Sequence, residues 1–168
     1  MVAHDRYAQM PSLLAGGSSP VFLMQMTPLI VTSALAYCLA QGVPEIEATT
    51  LRKVRVLDAA LATVLVAVVV LVSLSTGIVA DSQEATMTGR NTLFLTGLML
   101  LARSLHDQAA SAVPVGWVFA VMFAGYRDFH RPWPWAVTLH PANYVPTLAL
   151  CLLVFGTGLA VHIRTRRT

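Results

Sequence analysis

Residues 59–80 read AALATVLVAVVVLVSLSTGIVA, twenty-two positions without a charge. An α-helix rises about 1.5 Å per residue, so about 20 such residues cross a hydrocarbon core of about 30 Å. Immediately upstream stand Arg52, Lys53 and Arg55. Basic residues flanking a span are retained on the cytoplasmic side, so one segment predicts both membrane class and orientation.

Composition points the same way. The chain has 168 residues, of which 56% are apolar and 11% charged; soluble domains carry about 25% charge. A net charge of +3 spread over loop ends and the tail lacks the concentrated basic stripe that a nucleic acid requires. Cys38 and Cys151 both lie in apolar runs and read as small buried hydrophobes. No Cys-x-x-Cys or His-x-x-x-His spacing occurs, so neither a metal nor another cofactor is expected.

Outward from the central run, apolar segments over 21–41, 56–78, 91–105, 109–126 and 144–161 predict an all-α fold. The architecture expected is a polytopic integral membrane bundle of about five transmembrane helices. The third and fourth segments are short, and read either as two ordinary spans or as a re-entrant hairpin. Residues 1–20 form a polar lead-in, 21–163 the transmembrane domain and 164–168 a basic tail.

Between the first two spans, Pro44 suits a first helical position, and Glu45 and Glu47 suit the first turn. Val43, Ile46, Thr50, Val54 and Leu57 share one helical face. This segment reads as a short amphipathic helix on the membrane surface or as a solvated linker. Asp81 and Glu84 open a polar loop that ends at Gly89-Arg90-Asn91, and the segment 91–105 is long enough to span only if Arg90 and Arg103 snorkel to opposite surfaces. Arg103 and Asp107, four apart, are expected to pair.

The loop 126–144, YRDFHRPWPWAVTLHPANY, concentrates Tyr126, Trp133, Trp135 and Tyr144, residue types that gather at headgroup depth as an interfacial belt. Gln25 and Pro28 interrupt the first span and are candidates for a translocation path, against a plain reading of packing and a mild kink. Gly156 and Gly158 offer close helix packing in the last span.

With five spans, Arg52, Lys53, Arg55, Arg103, Arg164, Arg166 and Arg167 fall inside, and Arg6, Arg90, Arg127 and Arg131 outside. This predicts a multi-pass protein of the cell membrane with a cytoplasmic C-terminus. No nucleophile elbow, paired intramembrane carboxylates, His-Glu-x-x-His or phosphate loop is present, so no enzymatic activity is expected. A chain without an engine of its own acts with partners: the bilayer, other membrane subunits and a source of energy.

The segment Pro44-Glu45-Ile46-Glu47-Ala48-Thr49-Thr50-Leu51-Arg52 before a long Ala/Val/Leu span resembles the cytoplasmic loop of actinobacterial permease-type subunits of ATP-binding-cassette exporters. Gly89-Arg90-Asn91-Thr92-Leu93-Phe94-Leu95-Thr96-Gly97-Leu98 and Trp133-Pro134-Trp135 are similar to such permeases too. The chain has about five spans where that family has six. The resemblance implies a separate ATP-binding subunit that docks on cytoplasmic helices and drives alternating access. Glu45, Glu47, Arg52, Lys53 and Arg55 are the residues it implies for that contact. The alternative expectation is a non-transporting accessory or scaffold subunit of a larger membrane complex.

Overall fold

The computed structural model describes residues 19–40, 44–106, 109–128 and 131–164; side chains are described for 26–40, 56–106, 109–125 and 132–164. Among the described residues there are five helices: α1 (Ser19–Ala40), α2 (Pro44–Val79), α3 (Gln83–Leu105), α4 (Ala109–Ala124) and α5 (Val145–Arg164). Between α4 and α5 lie a small antiparallel hairpin of β1 (Tyr126–Asp128) and β2 (Arg131–Pro132) and a 3-10 turn at Val137–Leu139. The all-helical reading holds, and two stretches, Val56–Val79 and Val145–Arg164, are long and apolar enough to cross a membrane.

Two boundaries differ from expectation. The backbone of Pro44–Val79 is one continuous helix of 36 residues, about 54 Å long, with no break between the charged segment and the apolar run. No internal proline or glycine cluster interrupts it before Gly77, so nothing turns the chain aside. The third helix is also longer than its apolar core. It begins at Gln83, not Asn91, and runs 23 residues, so the third segment is not short. Asp81 adopts a left-handed φ of 46°, which an Asp tolerates, and reverses the chain within a few residues. Ser82 then caps α3, its Oγ accepting from the Ala85 amide at 3.4 Å, with Glu84 in the first turn. The expected polar loop up to Asn91 is therefore two turns of helix. The fourth helix is short, at 16 residues.

Side-chain contacts fix how the helices run. Gly89 of α3 lies against Ser73 of α2, and Thr86 lies beside Gly77, so these two helices are antiparallel. Arg90 reaches Thr147 of α5 and Gly97 abuts Phe155, so α3 and α5 are parallel. Arg103 meets the Leu39 carbonyl at the end of α1. Ala110 of α4 joins the cluster of Leu39 and Leu100, and Val118 joins that of Leu93 and Val137. Helices α1, α3 and α5 point one way, α2 and α4 the other, and α3 packs against all four.

That central position is unusual for its sequence. Gly89 through Gly97 are all buried, a run long enough to cover every face of a helix. Yet this is the stretch that holds Arg90, Asn91, Thr92 and Thr96. The most apolar helices sit outside it: only 22% of the apolar window of α2, and 22% of that of α5, is buried inside the protein. Leu61, Val64, Val68, Leu71 and Val72 of α2 and Leu148, Leu152 and Leu153 of α5 all face outward.

Candidate functional site

A guanidinium removed from water must find acceptors for its five N–H groups, because an isolated buried charge is very costly. Arg90 is only 5% exposed, so it does not snorkel to the surface as its position in the sequence suggested. Its acceptors come from the loop before α5 and from the first turn of α5. Nη1 donates to the Pro141 carbonyl at 2.9 Å and to Thr147 Oγ1 at 3.0 Å. Nη2 donates to the His140 carbonyl at 2.6 Å and to the Val137 carbonyl at 3.4 Å. The next residue holds the same loop from another angle, Asn91 Nδ2 donating to the Thr138 carbonyl at 3.1 Å.

The loop is shaped to present those oxygens. Trp133 N–H donates to the Gly125 carbonyl at 2.9 Å and closes the hairpin. Ala136 N–H bonds the Trp133 carbonyl, Val137 N–H that of Trp135, and Leu139 N–H that of Ala136. This tight winding leaves the carbonyls of Val137, Thr138 and His140 for α3, while that of Pro141 is shared between Arg90 and the Tyr144 N–H at 3.2 Å. Pro132, Pro134 and Pro141 hold the connection out of regular helix, as expected from their fixed φ. Ala136, Val137 and Thr138 are buried, so the centre of the loop is a plug in the end of the bundle.

Aromatic rings line the plug. Phe94 packs on Trp117 with centroids 5.1 Å apart, and Trp117 meets Trp135 edge-on at 6.0 Å. His140 stacks on Tyr144 at 5.2 Å. Trp133, Trp135 and Tyr144, predicted as an interfacial belt, are all exposed at this end; the Tyr126 side chain lies outside the described residues. Four buried polar atoms beside the clamp have no hydrogen-bond partner: Arg90 Nε, Asn91 Oδ1, Thr138 Oγ1 and Trp117 Nε1.

The opposite end carries a second arginine. Arg103 Nη2 donates to the Leu39 carbonyl at 2.7 Å and lies 3.9 Å from Asp58 Oδ2 of α2. This ties the ends of α1, α2 and α3 together, and the buried His162 closes the last turn of α5 at the same end. Asp107, the partner expected for Arg103, lies outside the described residues.

The remaining predicted positions divide as follows. Glu45, Glu47, Arg52, Lys53 and Arg55 belong to the first turns of α2, but their side chains lie outside the described residues. So does the side chain of Gln25. Pro28 is fully buried in α1, where Thr32 Oγ1 donates to its carbonyl at 2.7 Å. Among the described residues no group of three or more His, Cys, Asp or Glu side chains is placed to hold a metal. The Arg90 clamp was missed by the sequence reading, although Ser82 followed by Glu84 is a helix-start signal that would have put Arg90 inside α3.

No protein family, curated protein or solved structure matches this chain.

Proposed function

We propose that the chain is an integral membrane subunit of a transport complex, the permease-type component of an ATP-driven exporter energised by a separate ATP-binding subunit. The observation that carries the membrane part is the inverted distribution of polarity. The polar helix α3 is enclosed, and the Val- and Leu-rich faces of α2 and α5 look outward. In water that arrangement exposes far more contiguous apolar surface than a monomer tolerates; in a bilayer it is the stable one. Ionisable groups within a membrane face the bundle interior and pair there, which is how Arg90 and Arg103 are held.

The coupling part is supported by α2. Its apolar window starts at Val56, so Pro44–Arg55 extends the same helix by three turns past the apolar stretch. That extension carries Glu45, Glu47, Arg52, Lys53 and Arg55, and a continuous helix transmits a push from a docked ATPase directly into the span. On this reading it lies in the cytoplasm beside the C-terminal tail, in accord with the positive-inside rule.

One observation favours the accessory-subunit reading. Helix α3 fills the axis of the bundle, so a path for substrate would have to run between this chain and a neighbour. Purification from native membranes in mild detergent tests both readings. The exporter reading expects an ATP-binding subunit in the complex, and expects Arg52→Glu, Lys53→Glu and Arg55→Glu together to abolish coupled ATPase activity. Repeated purification without such a subunit overturns it, and coupling left intact by the triple variant assigns the accessory role.

A further inference from the structure

Arg90 is a buried cation whose resting partners are all neutral. Four oxygens, three of them main-chain carbonyls of His140, Pro141 and Val137, surround its two terminal nitrogens. Among the described residues no carboxylate pairs with it; Asp81 and Glu84, on the same end of the bundle, are exposed. A guanidinium binds an oxyanion with shorter and stronger hydrogen bonds than it makes to carbonyls, often in a bidentate fork.

The unpartnered atoms around it are biased in the same direction. Asn91, Phe94, Trp117, Trp135 and Thr138 lie around the same end of the bundle as Arg90. Asn91 holds the Thr138 carbonyl, Thr138 follows Trp135 by three residues, Trp135 meets Trp117, and Trp117 packs on Phe94, one turn after Asn91. Of the four buried atoms without partners at this end, Arg90 Nε and Trp117 Nε1 can only donate, and the Thr138 hydroxyl can donate; Asn91 Oδ1 alone is restricted to accepting. Arg90, Asn91 and Thr138 are each more than nine-tenths buried. Buried polar atoms are nearly always satisfied, so the unpaired Arg90 Nε and the Thr138 hydroxyl, at a cation that has acceptors but no countercharge, mark a place for an acceptor-rich, negatively charged group.

We propose that this end of the bundle is a binding site for a phosphate oxyanion, with Arg90 as the anchor and the 137–141 carbonyls as the partners it releases when the anion enters. Two of the carbonyls that hold Arg90 belong to residues at the surface, since Pro141 is exposed and His140 only half-buried. The proposal rests on the membrane reading for its depth: Trp133, Trp135 and Tyr144 around the rim place the site at the headgroup layer. There the anion is either the headgroup phosphate of a net-anionic lipid or a free phosphate, and the binding chemistry is shared.

The test uses the full chain, after its membrane residence has been checked by resistance to alkaline extraction, and reads the fluorescence of Trp117 and Trp135. Protein in maltoside micelles is titrated with phosphatidylglycerol, with phosphatidylcholine and with inorganic phosphate. A saturable change with phosphatidylglycerol, at least tenfold weaker with phosphatidylcholine, supports the lipid source; saturation by inorganic phosphate without a phosphatidylglycerol response supports the free anion. Arg90→Gln is expected to weaken binding at least tenfold and Thr138→Val at least threefold. Thr138→Val keeps the clamp, so it remains informative where Arg90→Gln does not fold. No response to any of the three probes, or wild-type affinity in Thr138→Val or in folded Arg90→Gln, overturns the site. Protein that resists extraction yet binds no anion refutes the site alone, whereas protein that extracts refutes the membrane reading.

Discussion

Arg90 shows how much one residue can decide. Replacing it with Met keeps the length of the side chain but leaves the carbonyls of Val137 and His140 without their donor, while that of Pro141 keeps only the Tyr144 N–H. Hydrogen bonds to charged groups contribute about 1.5–3 kcal/mol each and are not additive, so Arg90→Met is expected to destabilise by about 3–5 kcal/mol. Arg90→Lys keeps the charge with three donors on one nitrogen and should recover part of that loss. Asn91→Ala removes one neutral bond and should cost about 1 kcal/mol. Unfolding in mixed micelles with increasing sodium dodecyl sulfate checks the order Met, Lys, Ala; a Met variant as stable as wild type would remove the clamp from the account. Arg90 was visible in the sequence as a charge near an apolar run, and the local signal of Ser82 and Glu84 was there to place it in a helix. Its partners were not visible. They lie about fifty residues away in a loop whose carbonyls have no sequence signature, because every residue carries the same backbone oxygen.

At the level of elements, the apolar runs made the helices legible and the contacts between helices were only partly so. Each run is longer than an ordinary strand, and length alone separates such helices from strands. Gly156 and Gly158 both read in the sequence as candidates for close packing, but only Gly158 serves: a Cβ there would meet the Gly97 carbonyl at 2.6 Å, whereas one at Gly156 meets nothing within 4 Å. The partner, Gly97, lies in the middle of α3, where a Cβ would come within 2.7 Å of the Phe155 amide nitrogen. Backbone atoms cannot swing aside, so α3 and α5 would have to separate. Gly97→Ala and Gly158→Ala are therefore expected to destabilise by about 2 kcal/mol or more, through lost packing along the whole contact. Gly156→Ala should be neutral or stabilising by up to about 1 kcal/mol, because it gains helix propensity without a clash. The same detergent titration ranks the three variants, and a Gly156→Ala change as damaging as Gly97→Ala would contradict the assigned packing. The 36-residue α2 was legible only in pieces, since its charged start and apolar continuation differ in composition although nothing in the backbone divides them.

At the scale of the whole molecule, the inversion of polarity makes the membrane proposal sharply testable by a single surface substitution. Leu71 lies well inside the apolar window of α2 and is 65% exposed. In a soluble protein an exposed Leu→Arg change away from any special feature stays within about 0.5 kcal/mol, and improves solubility where the Leu sits in an apolar patch. In a bilayer the same position faces hydrocarbon, and an Arg near the middle of a span opposes insertion by about 2.5–3.5 kcal/mol. The two environments thus predict opposite signs for the same variant. Thr96, enclosed at the centre of α3, provides the complementary change, since Thr96→Val replaces a buried hydroxyl that has no partner with an isosteric methyl and should leave the bundle equally or more stable. Expression of Leu71→Arg should lower the yield in the membrane fraction by about tenfold or more while Thr96→Val leaves it unchanged. A Leu71→Arg protein recovered in soluble form, folded and without detergent, would show instead that water covers the outward faces of α2 and α5, and the transport reading would fall with the membrane.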